Sequence, residues 1–228
     1  MLVKKYTAEV VSITNPVDAL YLLELQSEEK PFKFLPGQFL HLALDPYDPS
    51  TGWPESRCFS IQAQPAPERI VLSFSAKGRF TTRMAAELKQ GSVVSVKLPY
   101  GSLFNDVPDG VKSVFIAGGT GITPFISLFT DDTFASWKKP VLYAGFRTKN
   151  YNLYDPFLFK AKTINEEFHD EIKYEDVSGM LNISEILEKE GADALFFLSG
   201  PPGMIRIFRN YLEQAGVGKD NIRTDDWE

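Results

Sequence analysis

Apolar and polar residues alternate in short runs through the first half of the chain, whereas the second half carries longer, nearly continuous apolar runs. Residues 8–13, 19–25, 38–44, 58–63, 70–75 and 92–98 are β-type runs separated by turn residues. That rhythm predicts an antiparallel barrel or sandwich. One helical stretch interrupts it: in TTRMAAELKQG, Met84, Ala85 and Leu88 share a face and Gly91 supplies a stop.

After Asn105-Asp106-Val107-Pro108-Asp109-Gly110 the texture changes. The runs VFIAG, VLYAGF and ALFFLSG alternate with helical patterns such as ILEKEG and MIRIFRNYLEQAG. Buried strands alternating with helices predict a doubly wound α/β unit with a parallel sheet. We therefore expect two domains, residues 1–108 and 109–228. The polar, proline-rich stretch 45–54 reads as an exposed connection.

Composition narrows the function. A net charge of −6 argues against nucleic acid as the main partner, since neutralising phosphates needs clustered Lys and Arg. It leaves open a small anionic ligand, which backbone N–H groups can bind. With Cys58 the one cysteine, neither a disulfide framework nor a four-cysteine iron–sulfur site can be built within the chain. His41 and His169 match no zinc-ligand spacing, and no metal site is expected. No apolar run of membrane-spanning length occurs, so a cytoplasmic protein is the expectation.

The stretch SVFIAGGTGITPFISL reads as strand, glycine turn and helix. Gly118, Gly119 and Gly121 let the backbone turn sharply, and Pro124 suits the first helical turn. The turn fits a dinucleotide diphosphate, yet Pro124 replaces the third glycine of the usual fingerprint and VLYAGF runs into Arg147 instead of an acid. By itself it fits a plain strand-to-helix turn equally well. A second strand end, ALFFLSG into Pro201-Pro202-Gly203-Met204, has the same two readings.

Six pieces follow in order: FLPGQF, RCFS, KGRFTTRM, LPYGSLF, GGTGITP and SGPPGM. As an ordered set they resemble the ferredoxin–NADP reductase superfamily of flavoprotein reductases, over nearly the whole chain. The resemblance implies an FAD-binding barrel followed by a nicotinamide-dinucleotide domain. Arg57 of Arg57-Cys58-Phe59-Ser60 would pair with flavin phosphate, Phe59 would pack on the isoalloxazine, and Ser60 would lie near flavin N5. Gly78, Thr81 and Thr82 would hold the flavin diphosphate at a helix start, with both threonines suited to capping it. Gly118, Gly119, Thr120, Gly121 and Thr123 would hold the dinucleotide diphosphate, and Gly200, Pro201, Pro202 and Met204 would line the nicotinamide side.

Three departures stand out. Phe59 replaces the family's usual Tyr, and Ser199 replaces the Cys found in many members. In the tail, Asp225 and Trp227 stand for the usual Glu and Phe or Tyr, and these two with Ser60 and Ser199 make up the expected catalytic set.

Arg147 and Lys149 suit a 2′-phosphate, but Glu171, Glu175 and Asp176 would repel one, and the balance leans to NADH over NADPH. The expected activity is hydride transfer from NAD(P)H to FAD, with electrons passed to a separate ferredoxin, flavodoxin or oxygenase component. A reductase of free flavin, iron or quinone, and a noncatalytic relay subunit, are the alternatives. Lys4, Lys5, Lys33, Lys77, Arg79 and Arg83 are candidates for a basic rim that would meet an acidic carrier, although each alone reads as solvated surface.

Overall fold

The computed structural model describes residues 2–225. The chain divides into two compact units, Met1–Ser102 and Leu103–Glu228.

The first unit contains β1 (Lys4–Val17), β2 (Leu20–Ser27), β3 (Phe39–Ala43), β4 (Ser56–Ser60), β5 (Ala63–Ala66), β6 (Arg69–Ser75) and β7 (Val93–Tyr100). They form one antiparallel sheet in the order β4-β3-β7-β1-β2-β6-β5. The single strand expected over 58–63 is in fact two, and they lie at opposite ends of that order. At the break, the Ile61 N–H donates to the Gln38 carbonyl at 3.1 Å, beside β3, and the Gln62 N–H donates to Val71 of β6 at 2.9 Å. Consecutive amides thus tie the two ends of the sheet together and curl it toward a barrel. Phe59 and Ile61 stay buried through this corner, so the hydrophobic pattern carries no mark of it. β5 contains Pro65, which lacks a ladder donor and is tolerated because this strand ends the sheet.

Alternation explains the interior. Leu23, Leu25, Leu40, Leu42, Ile70, Leu72, Val94 and Val96 all point into one core. Each such side chain contributes about 1.5–3 kcal/mol on burial. Helix α1 (Arg79–Glu87) lays Phe80 and Met84 against that core.

The second unit contains β8 (Lys112–Gly118), α2 (Thr123–Phe129), β9 (Lys138–Phe146), α3 (Asp155–Ile164), β10 (His169–Tyr174), α4 (Glu175–Ser178), α5 (Ile183–Glu190), β11 (Leu195–Ser199), α6 (Pro202–Gln214) and β12 (Ile222–Thr224). The five strands are parallel, in the order β10-β9-β8-β11-β12. Both faces are covered, which is why the strands read as unbroken apolar runs. Phe115, Ala117 and Phe197 pack with Phe125, Phe129 and Leu158 on one face. Val114, Ile116, Phe196 and Leu198 pack with Ile186, Ile205 and Phe208 on the other. Phe115 and Phe197 are paired across the β8–β11 ladder and stack with centroids 4.9 Å apart.

Leu103, Phe104 and Val107 belong to the first of these layers, which places the division at Ser102–Leu103, ahead of residue 108. The chain leaves β8 for β9 on one side and returns to β11 on the other, so the winding reverses between β8 and β11. In such sheets, ligands sit beyond the carboxyl ends of the strands at that reversal. Among the described residues, no helix is long and apolar enough to cross a membrane.

Candidate functional site

In the second unit, β8 and β11 end side by side, and each runs into one of the glycine-rich turns. The two turns pack directly on each other. A Cβ at Gly121 would stand 2.4 Å from the Cα of Gly200, and one at Gly118 would stand 2.8 Å from Pro201 Cδ and 2.9 Å from the Met204 sulfur. Gly200 is constrained from the other side, since its own Cβ would approach the Gly118 nitrogen to 2.9 Å. Glycine at 118, 121 and 200 is therefore demanded by mutual packing of the turns. Gly119 differs: nothing lies within 4 Å of its Cβ position, but its φ is +56°. There the requirement is the left-handed backbone itself.

The turn residues are partly committed to their own structure. The Thr123 hydroxyl donates to the Thr120 carbonyl. Pro124 sits in the first turn of α2, as expected, and Pro202 opens α6 with Pro201 as its cap. The Met204 N–H donates to the Pro201 carbonyl at 2.9 Å.

Ser199 and Asp225, two of the departures noted in the sequence, meet. The Ser199 hydroxyl donates to Asp225 Oδ2 at 3.3 Å, and the Asp225 N–H donates to the Leu198 carbonyl at 2.9 Å. Asp225 thus continues the alignment of β12 along β11, and Ser199 is buried beneath it. Trp227 lies outside the described residues. At the end of β9, the Asp176 N–H donates to the Arg147 carbonyl at 3.2 Å. Arg147 and Asp176 thus meet beyond the neighbouring ends of β9 and β10, whereas Glu171 lies within β10 and pairs with Lys189.

In the first unit, the β3–β4 ladder opposes Leu42 to Arg57, His41 to Cys58, Leu40 to Phe59 and Phe39 to Ser60. Opposed residues share a face, so Phe59 goes inward with Leu40, where its ring meets Phe74 edge-on at 6.2 Å. At 8% exposure it belongs to the barrel core and offers a stacking partner little of its face. Ser60 is buried at the end of β4. Cys58 goes outward with His41, its sulfur 3.7 Å from the imidazole. Burial, and then the nearby Lys97 ammonium, hold His41 below its ordinary pKa.

Arg57 reaches the start of α1, with its guanidinium carbon 5.2 Å from the centre of the Phe80 ring. The cap of α1 is Gly78, not either threonine. Thr81 sits one turn in, where its hydroxyl accepts from the Lys77 and Gly78 N–H groups at 3.1 Å each. The Thr82 N–H donates to the Gly78 carbonyl at 2.9 Å, while its side chain is exposed. Sequence reasoning placed capping at the threonines because both suit it; the chain direction at Gly78 decides that Thr81 closes the turn backwards.

Glu55 was not foreseen. It bridges Arg57 at 3.1 Å and Arg79 at 3.0 Å, and hydrogen bonding from Arg79 foremost lowers its pKa. Two other members of the expected basic rim also have partners, Arg83 with Asp45 and Glu87, and Lys5 with the Tyr47 hydroxyl.

No family model matches the chain. In sequence it is 29% identical over 201 residues to a ferredoxin–NADP reductase of Pseudomonas aeruginosa, covering 86% of this chain and 75% of that protein. It is 33% identical over 133 residues to a terephthalate 1,2-dioxygenase reductase component of Comamonas, covering 56% of this chain and 37% of that protein. It therefore spans well under half of that second relative. In fold it matches a ferredoxin NADP+ reductase from Neisseria gonorrhoeae with a TM-score of 0.78 at 17% identity, covering 97% of this chain and 98% of that one. With its antiparallel sheet curled toward a barrel and its five-stranded parallel sheet, the chain has the two-domain fold of the ferredoxin–NADP reductases that it resembles in sequence.

Proposed function

We propose that the protein is an NAD(P)H-dependent flavoprotein reductase that takes hydride from the nicotinamide onto FAD and passes electrons to a separate protein. The acceptor is a ferredoxin, a flavodoxin or an oxygenase component; the names of the relatives speak of ferredoxin and of a dioxygenase. The observation that carries this reading is the packing of Gly121 on Gly200, which sets both glycine-rich strand ends at the point where the parallel sheet reverses.

The residues of the first unit fit FAD. Arg57 is positioned over Phe80 at the beginning of α1, where a guanidinium fork and backbone N–H groups suit a diphosphate. Bound FAD would supply a two-electron acceptor able to release electrons singly or in pairs. The chain's own task is then orientation and exclusion of water, since hydride transfer needs no strong acid or base. Arg57, Gly78 and the α1 start anchor the flavin, with Cys58 and Ser60 following Arg57 on β4. Gly118, Gly119, Thr120 and Gly121 hold the dinucleotide diphosphate, and Gly200, Pro201, Pro202 and Met204 line the nicotinamide. Ser199 and Asp225 hold each other in place at that end of β11. Glu175 and Asp176 beside Arg147 tilt the preference toward NADH. A cytoplasmic location is part of the same reading.

The test is an anaerobic absorbance spectrum of the protein with FAD, before and after NADH and then NADPH. Bleaching of the flavin bands by NADH at the lower concentration is the expected result. A protein that binds no flavin sinks the proposal, and bound flavin that neither nucleotide reduces makes the protein a relay subunit. A screen of protein carriers against free flavin, iron and quinone then separates the acceptors.

A further inference from the structure

Glu55 precedes the Arg57-Cys58-Phe59-Ser60 stretch, and no motif marks it. Its carboxylate takes Arg57 Nη2 at 3.1 Å on one oxygen, and Arg79 Nη2 at 3.0 and 3.2 Å on its two oxygens. Both arginines border one helix end: Arg79 is the first residue of α1, and Arg57 lies over the ring of Phe80, the second. A carboxylate held between two guanidinia at a helix N-terminus has the place that the oxygens of an anionic ligand would take.

We propose that Glu55 is an internal counterion of the flavin diphosphate site, holding Arg57 and Arg79 until the diphosphate displaces it, and so limits FAD affinity. This rests on the flavin reading above.

Two features favour competition over simple support. Arg57 has a second contact, the Phe80 ring, that orients its guanidinium without Glu55. All three side chains are substantially exposed, so a displaced Glu55 carboxylate returns to water at little cost. The next cation along α1, Arg83, is taken by Asp45 and Glu87 and offers Glu55 no alternative partner.

The experiment titrates FAD into apo wild type, Glu55→Gln and Glu55→Asp, following flavin fluorescence, with riboflavin as a probe that lacks phosphate. Glu55→Gln is expected to bind FAD roughly three- to tenfold more tightly than wild type, the scale of two exposed ion pairs. Glu55→Asp, which keeps the charge, is expected to stay within about twofold of wild type. Riboflavin affinity is expected to be the same in all three proteins. Equal or weaker FAD binding by Glu55→Gln overturns the proposal, because Glu55 would then be supporting the arginines. An equal gain for riboflavin overturns it too, since the diphosphate would not be the competitor. Wild type that binds no FAD overturns the flavin reading along with it, whereas wild type that binds FAD with no gain in Glu55→Gln overturns this inference alone.

Discussion

Gly121 and Gly200 come from turns almost eighty residues apart in the chain, yet a single methyl group on Gly121 would stand 2.4 Å from the Cα of Gly200. The contact is backbone against backbone, so no side chain can swing away to relieve it. Gly121→Ala is expected to cost about 1–3 kcal/mol of stability and to weaken dinucleotide binding. Gly203→Ala is the control: nothing lies within 4 Å of its Cβ position, and it sits in the first turn of α6. It is expected to leave stability unchanged or raise it by up to about 1 kcal/mol. Denaturant unfolding of both variants checks the pair.

Ser199 and Asp225 are joined by a hydrogen bond to a carboxylate at the end of the parallel sheet. If they act as a unit, removing both costs less than the sum of removing each. A double-mutant cycle of Ser199→Ala and Asp225→Ala on NADH-driven flavin reduction is expected to show coupling of about 0.5–1.5 kcal/mol. Strict additivity would mean that the contact has no part in positioning the nucleotide.

Thr81 ties the start of α1 to the chain before it through two N–H groups. Thr81→Ala is expected to destabilise the first unit by about 1 kcal/mol and Thr82→Ala by much less, since the Thr82 side chain is exposed. Thermal unfolding of the two variants reads the difference.

His41 makes stability depend on pH. Its folded pKa lies below the ordinary value of 6.5, through burial foremost and then Lys97. The unfolded chain therefore binds the proton more readily. The contribution is intact above 6.5 and is lost as pH falls from there toward the folded pKa. His41→Gln is expected to flatten the stability profile below pH 6.5. Urea unfolding from above pH 6.5 downward shows whether the slope disappears.

Some of this was legible in the residues. The apolar runs of the second half announced a sheet buried on both faces, and VFIAG, VLYAGF and ALFFLSG all lie within or around β8, β9 and β11. Helix α3 escaped that reading because its apolar residues do not keep to one face; Leu158 and Ala161 are buried, whereas Phe159 is exposed. Of the site residues, Ser199 and Asp225 were each noticed as departures, but nothing in their spacing said that they touch. Glu55 carries no motif and was invisible until Arg57 and Arg79 converged on it.

The class of each half can be read along the chain, because side-chain periodicity is a local property that survives into any fold that buries it. The glycines at the ends of β8 and β11 likewise mark where the backbone must turn. That 58–63 breaks to link opposite ends of a sheet, and that the glycines at 118, 121 and 200 answer to one another, emerges from the folded chain alone. Those facts depend on which distant segments meet, and that is set by the closure of the sheet and the winding of its strands, which no window of neighbouring residues records.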